Sequence, residues 1–546
     1  MFVTEQLKRW WKAIIVIITP ILFLPLLICF HSDASRCGFV LLIIVTYWVT
    51  EAIPIAVTSL LPLVLFPLLA VVKASQVAPD YFRDVTVLFF GGVTLAYAIQ
   101  TVNLHRRIAL FVLSFMGSSI RQIMAGLMLT SWFLSMWISN FACAAIMIPV
   151  AMATADEYTQ SSYNSIEEDE SSTALLITDE QQNFISKKKA DNLKKSFILC
   201  VLYSTTYGGL VTIVGSGVTV LLKGYVDEQY KDTNFRLTFF NYFIVALPAS
   251  TLMLLFCWIW LQIRYGLFQW PTGNHQSTNE NNEHVKQSLK RQYNELGSLQ
   301  WNELIVTGLF FITVVLWITR DLGDGLGGWS VLFRYQYISN ATVVVLIAVL
   351  TMILPNEKPF TKNWKYKPII DWTDLSKNFP WGTLILLGAG LAIAHAAKVS
   401  KLMDVFGDAF QYFQNSRPII ILLAVLIISE ILTQLMSNIS IGSIMFPIIT
   451  SMSHITRIHP AYLLIPCTLA VSQSFLLPMS SQPNAFAFST GFLRSTDLIT
   501  TGIVMNVVNT FIICVAATTW MVPIFHLDQP FYTNSTFLNL TFSNST

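Results

Sequence analysis

Residues 139–149 read Ser139-Asn140-Phe141-Ala142-Cys143-Ala144-Ala145-Ile146-Met147-Ile148-Pro149, and residues 437–447 read Ser437-Asn438-Ile439-Ser440-Ile441-Gly442-Ser443-Ile444-Met445-Phe446-Pro447. The second stretch lies 298 residues after the first, and the same ungapped displacement aligns Leu88 with Leu386, Gly92 with Gly390 and Leu134 with Leu432. Apolar composition produces some Leu matches by chance, but it does not favour a Ser-Asn pair followed at a fixed distance by Ile-Met-x-Pro in both copies. The pattern indicates an internal duplication, which in a membrane protein is typical of a transporter whose site lies where the copies meet.

The composition is that of a membrane protein. Of the 546 residues, 54% are apolar and 12% are charged, and the mean hydropathy is +0.58. A water-soluble globular protein carries about twice that share of charged residues. The formal net charge of +2 is too small to indicate a nucleic-acid partner. We therefore expect an all-α polytopic membrane protein that contacts lipid. With the duplication, this favours a transporter and not an enzyme.

Basic residues and the lengths of the apolar runs predict how the chain crosses the membrane. Lys8, Arg9 and Lys12 precede the first apolar run, which predicts a cytosolic amino terminus. The apolar runs predict about eleven transmembrane helices plus two re-entrant hairpins of opposite orientation, arranged as an inverted repeat. The predicted domains are 1–36, the cytosolic amino terminus and first helix; 37–265, the first repeat with an inside hairpin at 122–154; 266–300, a cytosolic linker; 301–525, the second repeat with an outside hairpin at 419–454; and 526–546, an extracellular glycosylated tail.

Glycosylation motifs agree with the predicted position of the carboxyl terminus. Asn534, Asn539 and Asn544 each begin an Asn-x-Ser/Thr sequon. A cytosolic amino terminus followed by an odd number of spans requires an outside carboxyl terminus. Asn340 begins a further sequon in a predicted outside loop.

Two apolar spans carry Gly, Pro and hydroxyl residues where a plain membrane helix would carry Leu. These stretches are Gly208-Gly209-Leu210-Val211-Thr212-Ile213-Val214-Gly215-Ser216-Gly217 and Leu477-Pro478-Met479-Ser480-Ser481-Gln482-Pro483-Asn484. Backbone groups that leave a helix inside the bilayer are costly unless protein or water covers them. The two broken spans and the two Ser-Asn tips therefore predict a polar site near the middle of the membrane.

The chemistry of the tips predicts which groups bind an anion and which bind cations. Half-helix amino ends attract anions, whereas carboxyl ends and unwound carbonyls attract cations. We expect an anion between the tips, in contact with Ser139, Asn140, Phe141, Ser437, Asn438 and Ile439. One sodium ion is expected at the first tip and first break, bound by Ser135, Ser139, Asn140, Thr212 and Gly215. A second is expected at the second tip and second break, bound by Thr433, Asn438, Ser480 and Asn484. Sodium is the only expected metal, and no cofactor is expected.

Fixed positive charge is missing from the segments that carry these groups. Residues 122–150, 197–222, 419–447 and 460–485 contain no Lys or Arg and a single carboxylate, Glu430. An unaccompanied anion would be costly there, so the composition favours symport of an anion with cations. The alternative is that these small and polar residues only pack helices, as in ordinary membrane bundles. Glu430 is either a proton carrier or the partner of a neighbouring polar group.

Further motifs indicate a family resemblance. They are Trp48-Val49-Thr50-Glu51-Ala52-Ile53-Pro54, Asn103-Leu104-His105-Arg106-Arg107-Ile108-Ala109-Leu110, the Leu-Leu-Pro run before Pro483-Asn484, and Thr501-Gly502-Ile503-Val504-Met505-Asn506. Together with the Ser-Asn tips, they resemble the divalent-anion/sodium symporters, solute carrier family 13, which move sulfate or Krebs-cycle di- and tricarboxylates. The resemblance covers nearly the whole chain, and the tail from Ile465 is most similar to the plasma-membrane citrate and dicarboxylate carriers. It implies a homodimer, two or more sodium ions per substrate, and an elevator-type movement of a transport domain against a scaffold domain.

The sequence departs from the family pattern at the site itself. Phe141 stands where the family commonly has a Thr whose hydroxyl faces substrate, and Ile439 occupies the second tip. Further departures are Gln434 at a usual Glu position, Ser481-Gln482-Pro483-Asn484 in place of Thr-Pro-Pro-Asn, and Val218-Thr219 in place of Pro-Asn. The leading hypothesis is a sodium-coupled symporter of dicarboxylates or tricarboxylates such as succinate or citrate. The alternatives are a sodium-sulfate symporter, and a transport-impaired, sensor-like member that binds an anion without cycling.

Overall fold

The protein is built from helices. The computed structural model describes residues 2–116, 119–169, 179–231, 233–266, 287, 290–321, 328–334, 337–359, 364–405 and 416–528. Within these ranges the regular elements are α-helices and one short 3-10 helix, Trp329–Leu332, and the single β-bridge joins Pro355 to Pro368. The predicted all-α class is therefore confirmed.

The first half of the chain forms helices α1 to α12. Their bounds are α1 Phe2–Cys29, α2 Asp33–Thr50, α3 Ile55–Thr58, α4 Leu61–Leu68, α5 Ala74–Asp80, α6 Asp84–Thr101, α7 Leu104–Phe115, α8 Ile120–Ser135, α9 Asn140–Asp169, α10 Asp179–Val211, α11 Gly217–Gln229 and α12 Phe239–Arg264. Helices α8 and α9 are the arms of the first predicted hairpin, and the second arm extends beyond the predicted limit at 154. Helices α10 and α11 are the two parts of the first broken span.

The second half forms helices α13 to α22. Their bounds are α13 Trp301–Thr319, α14 Asn340–Ile353, α15 Trp372–Asn378, α16 Trp381–Val399, α17 Pro418–Thr433, α18 Asn438–Thr456, α19 Pro460–Val471, α20 Gln482–Ser489, α21 Ser495–Thr518 and α22 Met521–Phe525. Helices α17 and α18 are the arms of the second hairpin. Helices α19 and α20 are the two parts of the second broken span.

Within the described ranges, nine helices are long and apolar enough to cross a membrane. The sequence predicted about eleven spans besides the hairpins. Four of the predicted spans are absent from the nine. They are the span that is divided into α3 and α4, the two broken spans, and α14, which has only 14 residues. The nine also include α9 and α18, the second arms of the hairpins. The multi-pass membrane architecture is confirmed.

The two halves are joined by a crossed arrangement of hairpins and broken spans. In the first half, α8 and α9 both pack on α10, and in the second half α17 and α18 both pack on α19. The other part of each broken span packs on the opposite hairpin. Thus α11 packs on α18, and α20 packs on α9. Each hairpin therefore contacts both broken spans, which brings the two tips to one region of the molecule.

The structure corrects one predicted glycosylation site and leaves the others outside its description. Asn340 is only 3% exposed, and its carbonyl oxygen accepts a hydrogen bond of 3.1 Å from Nε1 of Trp317. Asn340 is also the first residue of α14, so the expectation that this sequon lies in a loop is wrong. The sequons at Asn534, Asn539 and Asn544 and most of the linker 266–300 lie outside the described residues.

Candidate functional site

The first tip is the turn between α8 and α9. Ser139 caps the amino end of α9, because its Oγ accepts a hydrogen bond of 3.3 Å from the backbone N–H of Ala142. The hydroxyl of Ser135, at the end of α8, lies 2.9 Å from Oδ1 of Asn140 and 2.6 Å from the carbonyl oxygen of Thr205 in α10. The tip is thus tied to the broken span of its own repeat.

The second tip repeats this geometry. Ser437 caps α18 by accepting a hydrogen bond of 3.3 Å from the backbone N–H of Ser440. The hydroxyl of Thr433 lies 2.9 Å from Oδ1 of Asn438 and also contacts the carbonyl oxygen of Val471 at the end of α19. Thr433 and Asn438 are the residues that the duplication aligns with Ser135 and Asn140. Both copies therefore keep the same hydroxyl, amide and carbonyl group.

At each tip, three oxygens lie together, from a hydroxyl, an amide and a backbone carbonyl, and only the hydroxyl carries a proton to donate. A hydroxyl donates a single hydrogen bond, and amide and carbonyl oxygens only accept. Two arrangements satisfy the group: the amide turns so that its Nδ2 donates to the hydroxyl, or a cation shares the surplus oxygens. The second arrangement is the chemistry expected for unwound carbonyls and half-helix carboxyl ends in transporters.

Further oxygens surround the first tip at the break between α10 and α11. The break covers residues 212–216, within the predicted stretch. Oγ1 of Thr212 donates a hydrogen bond of 2.5 Å to the carbonyl oxygen of Met136 and accepts one of 3.0 Å from the backbone N–H of Gly215. Gly215 is so close to the tip that an added Cβ would lie 2.8 Å from the carbonyl oxygen of Gly209 and 3.1 Å from that of Met136. The structure therefore brings together Ser135, Asn140, Thr212 and Gly215, four of the five residues predicted as ligands of the first sodium ion. The fifth, Ser139, caps α9.

Gly209 sets the position of the Asn140 amide. A Cβ at Gly209 would overlap Oδ1 of Asn140 and lie 2.9 Å from its Cγ. Only glycine leaves room for the amide against the backbone of α10. The Gly-rich composition of this span thus has a local cause, the close approach of the first tip.

The second break is longer than predicted and is supported by different groups. It covers residues 472–481, so Asn484 lies inside α20. The Nδ2 of Asn484 donates to the carbonyl oxygens of Ser474 at 2.7 Å and Leu477 at 3.0 Å and to Oγ of Ser480 at 3.0 Å. Ser480 also donates to the carbonyl of Ser474 at 2.9 Å. Ser480 and Asn484, both predicted sodium ligands, thus hold the unwound backbone. Asn438, predicted as a ligand of the same ion, contacts Thr433.

Two glutamines at this break were not predicted as site residues. The side chain of Gln434 donates to the carbonyl oxygen of Gln473 at 3.0 Å and accepts a hydrogen bond of 2.9 Å from the backbone N–H of Leu476. Gln473 is fully buried, and its Oε1 has no hydrogen-bond partner among the described residues. Gln434 could have been found as a departure from the family pattern, whereas Gln473 carries no local signal.

Four helix amino ends meet near the two tips. Helices α9 and α18 begin at the tips themselves. Helix α11 begins at Gly217, where an added Cβ would overlap Cδ1 of Ile439 and lie 3.0 Å from its Cγ1. Helix α20 carries Phe486, whose ring centroid lies 6.1 Å from that of Phe141 at an interplanar angle of 88°. Because helix amino ends carry partial positive charge and free N–H groups, this region is suited to an anion.

The first tip lies at the exposed surface of the protein. Phe141 is 42% exposed, and the polar residues Ser139 and Gln482 beside it are also exposed. The tip of α18 is half-buried. The first tip is therefore more accessible than the second.

The one carboxylate of these segments has a polar partner. Glu430 is 9% exposed, and its Oε1 accepts a hydrogen bond of 2.5 Å from Oγ1 of Thr510 in α21. The alternative in which Glu430 pairs with a neighbouring polar group therefore agrees with the structure.

Comparison with known proteins places these features in a family. Residues 7–527 match the family model described as the sodium:sulfate symporter transmembrane region. The chain is 34% identical to the Na(+)/citrate cotransporter of Mus musculus, over 96% of this chain and 97% of that protein. It is 30% identical to the Na(+)/dicarboxylate cotransporter 3 of Rattus norvegicus, over 98% of this chain and 96% of that protein.

A solved transporter shows a similar fold. The structure of MtrF from Neisseria gonorrhoeae, described as illuminating a class of antimetabolite efflux pumps, matches 84% of this chain and 85% of its own with a TM-score of 0.53 and 8% sequence identity. At that identity the similarity concerns the fold alone. The family match over nearly the whole length and the similarity to the two cotransporters confirm the resemblance carried by the motifs. The chain therefore belongs to solute carrier family 13, the sodium:sulfate symporter family.

Proposed function

We propose that this protein is a sodium-coupled symporter that imports dicarboxylates or tricarboxylates, of the succinate and citrate class, across the plasma membrane. The family supports cation-coupled transport of a small anion. The names of the two similar cotransporters, one for citrate and one for dicarboxylates, support a carboxylate substrate.

The observation that carries the proposal is the repeated hydroxyl and amide geometry at tips where helix amino ends meet. Ser135 with Asn140, and Thr433 with Asn438, each place oxygens in excess of protons beside an unwound backbone. The surrounding segments contribute no Lys or Arg. A dianion at the helix amino ends is then neutralised by cations at the neighbouring oxygens, which makes its entry dependent on sodium.

The structure suggests a ligand set for each ion. For the first, we propose the oxygens of Ser135, Asn140 and Thr212 with the carbonyls of Met136 and Gly209. These are neutral hydroxyl, amide and carbonyl oxygens, which suit a hard cation.

For the second ion, we propose the oxygens of Thr433 and Asn438, the carbonyl of Val471, and Oε1 of Gln473, which has no hydrogen-bond partner in the part of the chain that the structure describes. Ser480 and Asn484 hold the backbone of the break in place.

A second candidate function is sulfate transport. The description of the matching family model names sulfate, and two asparagine tips offer amide donors to a tetrahedral dianion without a further hydroxyl. The sensor-like alternative follows from Phe141, which offers no hydrogen bond at the exposed tip. Both alternatives are separated from the proposal by transport measurements.

The test is uptake of radiolabelled succinate, citrate and sulfate by cells that express the protein, with sodium exchanged for choline. We expect carboxylate uptake in sodium only, and its loss in Asn140→Ala and Asn438→Ala at unchanged surface expression. Asn294→Ala is the matched control, because Asn294 is exposed in the linker region. Uptake that persists in choline contradicts the coupling, sulfate-only uptake favours the second candidate, and binding without uptake favours the sensor.

The remaining features of the proposal concern assembly and orientation. We propose a homodimer with an elevator-type movement of the hairpins, a cytosolic amino terminus and an extracellular carboxyl terminus. Glycosylation at Asn534, Asn539 and Asn544 would mark the outside tail. Loss of the glycosidase-sensitive mobility shift after replacing all three asparagines with Gln tests this orientation.

A further inference from the structure

The pair formed by Phe141 and Phe486 is the apolar part of an otherwise polar site. Phe141 follows Asn140 at the first tip, and Phe486 lies in the first turns of α20. Their centroid distance of 6.1 Å and interplanar angle of 88° are those of a favourable edge-to-face pair. The pair joins the first hairpin to the broken span of the other repeat.

The pair does not have the burial of a packing contact. Phe141 is 42% exposed, and Phe486 is partly buried. The aromatic pair between Tyr203 and Phe475 is by contrast fully buried. Ser139 and Gln482, which lie two and four residues before the two rings in sequence, are exposed and polar, and such residues favour water over lipid in front of the rings.

A phenyl ring at this place changes what an anion gains by binding. It offers no hydrogen bond to a carboxylate or sulfate oxygen, so any charged oxygen turned toward it loses hydration without replacement. A hydrocarbon group turned toward it is instead removed from water, which favours binding. The charged ends of a suitable substrate therefore lie at the helix amino ends, and its carbon body lies against the rings.

We propose that Phe141 and Phe486 form an apolar wall of the anion site and select dicarboxylates that carry a hydrocarbon substituent over sulfate and over hydroxylated carboxylates. This inference rests on the proposed function, since it requires a carboxylate to bind at the tips. Phe486 is thereby a specificity-determining residue contributed by the opposite repeat.

The test compares two inhibitors of nearly equal size, methylsuccinate and hydroxysuccinate, for their ability to block sodium-dependent uptake of radiolabelled succinate. Their only difference is a methyl or a hydroxyl group on the same carbon skeleton. Burial of one methyl-sized group corresponds to about a fourfold gain in affinity. We expect methylsuccinate to inhibit at a concentration at least about fourfold lower than hydroxysuccinate in the wild-type protein, and sulfate to inhibit more weakly than either.

Variants assign this preference to the rings. Phe141→Thr and Phe486→Ser each replace apolar surface with a hydroxyl and are each expected to bring the ratio of the two inhibitory concentrations towards one. Phe141→Thr is also expected to increase uptake of unsubstituted succinate. Phe488→Ser is the matched control, because Phe488 is 38% exposed on the same short helix and two residues away, on a different face. It is expected to keep the wild-type ratio. Surface expression is measured for every variant, and inhibitor binding to purified protein by thermal shift gives a second readout where uptake is weak.

The outcomes separate this inference from the proposed function. Sodium-dependent succinate uptake with an inhibitor ratio near one in the wild type, or with a ratio that both Phe variants leave unchanged, overturns the apolar wall and leaves the symporter proposal standing. Absence of sodium-dependent uptake and binding for every carboxylate overturns both.

Discussion

Replacing Gly209 with Ala tests the first tip with a single added methyl group. The new Cβ would overlap Oδ1 of Asn140 and lie 2.9 Å from Cγ and 3.0 Å from Nδ2 of the same side chain. The amide must therefore withdraw from α10 by about 1 Å, and a displacement of about that size costs a positioned site on the order of 100-fold in rate. It also separates the amide oxygen from Ser135.

The same change leaves the fold intact. The overlapping atoms belong to the end of a short side chain that can rotate away. Gly209 lies inside α10, where Ala is the better helix former by up to about 1 kcal/mol. We therefore expect Gly209→Ala to keep its surface expression and melting temperature while it loses sodium-dependent uptake.

The assay is initial-rate uptake of radiolabelled carboxylate as a function of sodium concentration. Gly92→Ala is the matched control, because a Cβ there would lie 3.7 Å from Val214, an ordinary contact. We expect wild-type uptake from Gly92→Ala and about 100-fold weaker uptake, with a raised sodium half-saturation, from Gly209→Ala. A Gly209→Ala variant that transports like the control would refute the placement of Asn140 as a sodium ligand.

Further predictions concern the hydroxyls of the tips, a buried ion pair and pH. Ser135→Ala and Thr433→Val each remove one oxygen of a three-oxygen group, and each is expected to raise the sodium half-saturation in uptake assays by about tenfold; an unchanged value in both would place the ions elsewhere. Arg83 pairs with both Asp80, which is 1% exposed, and Glu228, which is half-exposed. Asp80→Asn should therefore lower the unfolding free energy in detergent by about 3 kcal/mol, and Glu228→Gln should lower it by less than about 1 kcal/mol. Equal losses in the two variants would contradict the argument that burial makes the difference. Burial lowers the pKa of His459, in the loop before α19, from 6.5 to about 4. As the pH drops, the imidazole of His459 is protonated in the unfolded chain before it is protonated in the folded protein, so its contribution to stability is full above pH 6.5 and is lost towards pH 4. His459→Asn should therefore make the melting temperature depend less on pH over this range. A melting temperature that falls more steeply in the variant would contradict this prediction.

The duplication made the chemistry of the tips predictable from the sequence. Ser135 and Thr433 differ in type, yet the alignment of the two copies places both five residues before an Asn, and both contact its Oδ1. The first break was also predictable, because Gly215 and Gly217 interrupt an apolar span locally and the helix ends at Val211. Repeats and helix-breaking residues are local signals, so the sequence alone reveals them.

Contacts between distant segments were not predictable in the same way. The second break begins at Ser472, before any Pro of the predicted stretch, because Gln434 and Asn484 satisfy its backbone from other helices. Asn484 supports the break because its Nδ2 and not its Oδ1 faces the unwound backbone. That orientation is set by tertiary contacts and cannot be predicted from the sequence. Phe486 lies 345 residues from Phe141, and only the crossing of the broken spans brings the rings together.

The most direct measurement is equilibrium binding of the transported anion to the purified protein in sodium and in choline at equal ionic strength. With no Lys or Arg in the segments that form the tips, the anion depends on cations for neutralisation. We expect saturable binding in sodium and at least about tenfold weaker binding in choline, a difference of about 1.4 kcal/mol. Equal affinity in the two salts would contradict the claim that sodium ions complete the anion site.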